Sequence, residues 1–292
     1  MREKTFTFGS HGGLVGVLCE PDGGPLAGSP ATLLFNIGLN HRVGPGRLNV
    51  ELARRLARAR YLSLRFDVSG LGDSEAREDA HSDTERQVLD LREAMDFLAS
   101  KSGFRSFVLM GLCSGTDGVY GAALADPRVS GAIFVDGYAY ETRGYRLRRT
   151  AEKASWLLDS FRLRRYLRRS LRRLRGRRPD DDVETGAPEP IFDRSYPPLE
   201  EFRAAVESLS GRGMKALFLY TVDAPLYNHR GQFARMAGWR VCPPGIEGEY
   251  WPDADHAFST LAVRRRVVEH LAAWIEARFP AGDARAATGT AP

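Results

Sequence analysis

Apolar and polar positions along the chain alternate between two periods. Short apolar runs recur at Thr5–Phe8, Leu14–Leu18, Ala31–Ile37, Leu62–Asp67, Phe107–Gly111, Ala132–Asp136, Lys215–Val222 and Ile246–Trp251. Their lengths and their Gly, Pro and Asp boundaries predict strands. Between them the apolar positions recur at helical spacing. Leu48, Leu52 and Leu56 mark one face of a helix, and Val88, Leu91, Met95 and Leu98 mark another, with Asp83-Thr84 as its cap. A small-residue helix runs through Gly118 to Ala125 and stops at Asp126-Pro127. A short helix is expected over Tyr227 to Ala237, and a long amphipathic one over Phe258 to Phe279. Strand and helix repeated at short spacing predict an α/β protein: a mostly parallel sheet of eight strands, covered by helices on both faces.

The rhythm stops between Gly137 and Gly213, where no apolar strand is found. Trp156, Leu157, Phe161, Leu167, Leu171 and Leu174 fall near helical spacing with arginines between them. Pro179 to Pro190 reads as an acidic loop, and Pro197-Pro198 opens a short helix through Phe202 and Val206. The division this suggests is a core of residues 1–137 and 211–280, a helical cap insert over 138–210, and a disordered tail at 281–292.

Charge sharpens that division. Residues 143–178 hold 15 Lys or Arg against two acids, a net of +13, while the remaining residues sum to −8. The overall +5 is therefore the property of one segment. Interleaved leucines favour a packed lid over a free basic tail. Its arginines read first as the solvated face of helices whose Leu and Trp pack on the core, next as a dock for an acidic partner or anionic substrate, and last as a contact for membrane or nucleic acid. With 292 residues, 43% of them hydrophobic, a sizeable core is available. No run approaches a membrane span. The opening residues lack the apolar stretch of a signal peptide. Three cysteines, Cys19, Cys113 and Cys242, are too few and too uneven for a disulfide scaffold. The expected setting is a reducing cytoplasm.

Gly111-Leu-Cys-Ser-Gly115 sits between an apolar strand and a helix. Small residues at its ends permit a tight turn that lifts Cys113 out of the sheet at a helix N-terminus. A thiolate is favoured there, and the expected role is nucleophile. Asp255-His256-Ala-Phe258 follows the last strand, and His256 is the candidate base. A third group should orient the imidazole. Asp223 ends one strand and is the preferred acid; Asp136 ends an earlier strand and is the alternative. No His, Cys or Asp cluster has metal-ligand spacing, and no Gly-rich segment carries the Lys-Ser/Thr of a phosphate loop, so no metal or cofactor is expected.

With these residues in place, the chain resembles the α/β-hydrolase superfamily across nearly all of residues 1–280. The resemblance rests on four sites in order: Asn36-Ile-Gly-Leu-Asn40, Asp67-Val-Ser-Gly-Leu-Gly-Asp-Ser74, Gly111-Leu-Cys-Ser-Gly115, and Asp223 with Asp255-His256. The segment from Asp67 to Ser74 is similar to the Asp-x-x-Gly-x-Gly-x-Ser turn of the serine aminopeptidase-like branch. Cysteine stands where most members have serine, as in dienelactone hydrolases and some biosynthetic thioesterases. The His-Gly pair usual in the oxyanion loop is replaced by Ile37-Gly38. The resemblance implies an α/β-hydrolase fold with a helical cap. It implies oxyanion donors at the Leu39 and Ser114 N–H groups, and Asn40 and His41 (with Arg42 beside them) lining the pocket. The turn at Asp67 is implied to be structural.

The function these readings suggest is covalent acyl transfer by a thioesterase, acyltransferase or cyclase. Its substrate would be a small acyl ester or thioester, carried in one version on an acyl carrier protein. The alternative is a non-catalytic binding protein of the same fold that docks an acidic partner on its basic lid.

Overall fold

The computed structural model describes residues 1–10, 13–36, 38, 40–79, 81–158 and 196–280, with the main chain alone over 152–158. Eight strands form one sheet: β1 (Arg2–Phe8), β2 (Leu14–Glu20), β3 (Ala31–Phe35), β4 (Ser63–Phe66), β5 (Phe107–Leu112), β6 (Val129–Val135), β7 (Lys215–Thr221) and β8 (Ile246–Trp251). Their order is β1-β2-β4-β3-β5-β6-β7-β8. β2 is antiparallel to both neighbours, and every pair from β4 to β8 is parallel. This is the expected mostly parallel sheet.

The helices among the described residues are α1 (Leu48–Arg58), α2 (Asp83–Ser102), α3 (Gly115–Ala125), α4 (Arg143–Leu158), α5 (Leu199–Gly211), α6 (Gln232–Met236) and α7 (Leu261–Arg278). Side-chain alternation along β5 shows why the sheet is covered twice. Phe107 and Leu109 join the core beneath α2, α3 and α5, whereas Val108 and Met110 join the core beneath α1 and α7. All six residues of β5 are buried, as a central parallel strand requires. On α1 the predicted stripe of Leu48, Leu52 and Leu56 is fully buried. The cap of α2 is Ser82, one residue before the predicted pair. Its hydroxyl accepts the Glu85 N–H while the Glu85 carboxylate accepts the Ser82 N–H at 2.8 Å. The Ser-x-x-Glu spacing, not the Asp-Thr pair, carries that signal.

Between β6 and β7 the described elements are helical. On α5, Phe202, Val206 and Leu209 are buried in the same core as Phe134 and Phe218. Phe202 also lies within ring-contact distance of Tyr120, Tyr138 and Tyr140. The side chains of Trp156 and Leu157, and residues 159–195 with Phe161, Leu167, Leu171 and Leu174, lie outside the described residues, as does the tail from 281. No helix among the described residues is long and apolar enough to cross a membrane.

Because β5 to β8 run parallel, their C-terminal ends emerge along one edge of the sheet. Cys113, Asp136, Thr221 to Asp223 and His256 all follow those ends. The topology therefore gathers residues that are far apart in sequence.

Candidate active site

Cys113 occupies the turn between β5 and α3 with φ 53°, in the left-handed region. A residue with a Cβ pays about 1–3 kcal/mol to stay there, so the surroundings must hold it. Its N–H donates to the Val135 carbonyl at 2.9 Å. Its carbonyl accepts the Thr116 N–H at 3.0 Å and the Thr116 hydroxyl at 2.6 Å. A Cβ on Gly111 would fall on the Gly115 carbonyl, so the tight turn needs glycine there. The first turn of α3 directs its positive dipole end toward the elbow, which favours an anionic sulfur.

His256 lies in a loop set by two devices. The Asp255 carboxylate accepts the N–H groups of Ala257 and Ser259 and the Ser259 hydroxyl, each at 3.0 Å. Phe258 adopts φ 50° and is fully buried beneath α7, which anchors the loop from below. The His256 Nδ1 lies 2.6 Å from Asp136 Oδ2, and the ring also shares a hydrogen bond with Cys113. The hydrogen bond to Asp136, followed by that to Cys113, pushes the imidazole up to about 10. The ring is therefore held between a carboxylate and the Cys113 sulfur, both of which favour its protonated form.

This corrects the preference for Asp223 as the group that meets the ring. Asp223 is exposed, and among the described residues its carboxylate accepts the His256 main-chain N–H at 2.9 Å. Asp136 stands at φ 50° after β6, with its side chain 1% exposed. It accepts the Thr221 N–H and the Thr221 hydroxyl, each at 2.7 Å, in addition to the ring. A buried carboxylate held by donors orients an imidazole better than an exposed one, whose charge water screens.

Of the proposed oxyanion donors, Ser114 follows Cys113 at the first turn of α3, and Leu39 lies outside the described residues. The Gly38 N–H donates to the Ser114 hydroxyl at 3.1 Å, which ties the loop after β3 to the elbow. Asn40 is exposed. His41 turns its Nε2 toward Asp67 and Asp73, at 3.3 Å from each.

Asp67 organises this neighbourhood. Its fully buried carboxylate accepts the Asn36 amide at 2.8 Å and the Arg42 N–H at 2.6 Å, and it pairs with the Arg42 guanidinium. The Asn36 side-chain oxygen accepts the Val68 N–H at 2.6 Å. Gly72, at φ 57°, leaves room for this carboxylate, since a Cβ there would overlap it. The Asp67 turn thus braces the loop that runs beside Cys113, and Asn36 and Arg42 are contributors that sequence reading did not single out for this task. His41, Asp67 and Asp73 offer ligand atoms within 4.8 Å of one another. Arg42 already pairs with both carboxylates, which accounts for the cluster as an ion-pair network.

Within the basic segment, three of the four arginines with described side chains engage neighbours. Arg146 pairs with Glu141, Arg148 donates to Asn228 at 2.9 Å, and Arg149 donates to the Tyr145 hydroxyl at 3.1 Å. Two clefts, of about 440 and 520 Å³, are lined by Glu75, Arg77 and Glu93 and by Arg54, Arg58 and Arg265, among others. Neither is lined by Cys113, His256 or Asp136.

No family model and no curated protein sequence matches the chain. Solved structures do. DcsB, solved with a substrate analogue, aligns with a TM-score of 0.58 at 16% identity, over 95% of this chain and 99% of its own. The esterase domain of a Rhodothermus marinus protein aligns at 0.55 and 21% identity, over 96% and 99%. A Xanthomonas campestris α/β serine hydrolase, described as having no lid, aligns at 0.52 and 15% identity, over 96% and 95%. The fold is that of the α/β hydrolases. At these identities the likeness carries the fold, and the chemistry of this chain rests on its own residues.

Proposed function

We propose that the protein is a covalent acyl-transfer enzyme with Cys113 as nucleophile, His256 as base and Asp136 as the orienting acid. Its substrate is an acyl ester or thioester, and it acts as a thioesterase, acyltransferase or cyclase. The observation that carries this reading is the strained elbow: Cys113 at φ 53°, hydrogen-bonded to a His256 ring that sits 2.6 Å from a buried carboxylate.

The Cys113 sulfur attacks the acyl carbonyl, forming a C–S bond and a tetrahedral oxyanion. The Ser114 N–H, with the Leu39 N–H as proposed second donor, stabilises that charge. The bond to the leaving group then breaks, and His256 gives the leaving group its proton. Water or another acceptor attacks the acyl-thioester enzyme and loses a proton to His256. The C–S bond breaks and the sulfur leaves as thiolate, beside an imidazolium once more. A thioester intermediate reacts faster with amines than an oxygen ester does, which favours transfer, cyclisation or thioester exchange. The charge of 143–178 supports an acidic carrier as the source of the acyl group, on arginines that lie mostly outside the described residues.

Intact-protein mass spectrometry after incubation with a panel of acyl thioesters tests the reading. An acyl mass on the protein, lost in Cys113→Ala and retained with slow turnover in Cys113→Ser, is expected. Equal, slow iodoacetamide labelling of Cys19, Cys113 and Cys242 near pH 7, with no acyl mass, would instead favour a binding protein of the same fold.

A further inference from the structure

We infer that Thr221 is a positioning residue for the acid of this site: it grips Asp136 from both main chain and side chain and sets the direction in which that carboxylate meets His256. The inference rests on the acyl-transfer reading above.

Thr221 closes β7, is fully buried, and is fixed in register opposite Trp251 of β8. Its N–H donates to Asp136 Oδ1 and its hydroxyl to Asp136 Oδ2, each at 2.7 Å. Two donors from one rigid residue define the plane of the carboxylate, since a β-branched side chain at a strand end has little χ1 freedom. The hydroxyl is itself directed. Thr221 Oγ1 accepts the Asp223 N–H at 3.3 Å, which leaves the hydroxyl hydrogen pointing to Asp136.

Asp223 completes the arrangement from its other end, where Oδ2 accepts the His256 N–H at 2.9 Å. A closed circuit results. It runs from the Asp223 N–H to the Thr221 hydroxyl, to Asp136, to the His256 ring, and back from the His256 N–H to the Asp223 carboxylate. The acid of β6 and the base after β8 are thereby both fastened to the same three residues at the end of β7. This explains why a second strand-end aspartate is present although it does not meet the ring. Thr221 itself touches no reacting atom. The titratable groups around His256 are Asp136 and Cys113 on its ring, Asp223 on its N–H, and Asp255 beside it in the loop.

The test compares Thr221→Val, which keeps shape and main-chain donor but removes the hydroxyl, with Thr221→Ser, which keeps the hydroxyl. Thr221→Ala is a second hydroxyl-free variant in case valine does not fold. The readout is the rate of iodoacetamide labelling at Cys113, located by peptide mass spectrometry, from pH 6 to 10.5. Loss of a hydrogen bond to a charged group commonly costs ~10–100-fold. Because the main-chain donor survives, labelling at pH 6.5 should fall about tenfold in Thr221→Val and converge with the parent toward pH 10. Thr221→Ser should stay within about twofold. A Thr221→Val profile that superimposes on the parent, or a Thr221→Ser loss as large as that of Thr221→Val, overturns this inference alone. A parent protein whose Cys113 labels no faster than Cys242 at pH 6.5 overturns the acyl-transfer reading, and this inference with it.

Discussion

Replacing Asp136 with Asn removes the carboxylate whose hydrogen bond, followed by its charge, raises the His256 pKa. The substitution is nearly isosteric, and the side-chain amide oxygen can still accept one of the Thr221 donors. The consequence follows from thiol ionisation. A free cysteine thiol, with a pKa of about 8.5, is roughly 1% thiolate at pH 6.5 and about 90% at pH 9.5, so its labelling rate climbs ~90-fold across that window. In the parent protein the hydrogen bonds to Asp136 and Cys113 push the His256 imidazole up to about 10. A cation beside a sulfur favours its thiolate, so the labelling rate should climb far less than that of a free thiol, by less than about threefold. In Asp136→Asn the rate at pH 6.5 should drop, and the ratio between the two pH values should rise toward that of a free thiol. The absolute rate is a poorer guide, because a thiolate stabilised by its surroundings is also a weaker nucleophile. Stopped-flow or mass-resolved iodoacetamide labelling of Cys113 in parent, Asp136→Asn and Asp223→Asn measures the ratio directly. A flat profile in Asp136→Asn would refute the argument that this carboxylate charges the ring.

Further outcomes follow from the same geometry. Asp223→Asn should keep a flat labelling profile and lose less than about threefold in rate, because an amide oxygen still accepts the His256 N–H; a profile like that of Asp136→Asn would return the acid to Asp223. The raised pKa of His256 makes its pairing with Asp136 stabilise the folded state fully below about pH 6.5, with that stabilisation lost as pH rises through about 10. Thermal unfolding of parent and Asp136→Asn should therefore differ most below pH 6.5 and converge above 10. Gly111→Ala places a methyl against the Gly115 carbonyl and should cost about 1–3 kcal/mol by denaturant titration, with loss of rapid Cys113 labelling. Ser82→Ala removes the capping box of α2 and should cost about 1 kcal/mol while leaving Cys113 labelling unchanged.

Much of the molecule was written locally. The apolar runs and the 3.6-residue stripe of α1 gave the layered sheet, because hydrophobic period is a property of consecutive residues. The elbow was legible for the same reason: Gly111 and Gly115 are spaced for a close main-chain approach, and Cys113 stands between them. His256 could be found from the short-range Asp255 turn and the buried Phe258 that flank it. Which carboxylate meets the His256 ring was not legible. Asp136 and Asp223 each end a strand, and nothing within a few residues of either says which carboxylate will face a ring. Asp136 lies 120 positions from His256 in the chain. Register between β6, β7 and β8 brings them together, and burial with two donors from Thr221 decides between the candidates. The bracing of the loop beside Cys113 by Asp67, Asn36 and Arg42 is hidden in the same way. Local sequence fixes periodicity, caps and turns, because those depend on adjacent residues. The partner of a buried charge depends on which distant main chain supplies donors after water has been excluded, and only the assembled sheet determines that.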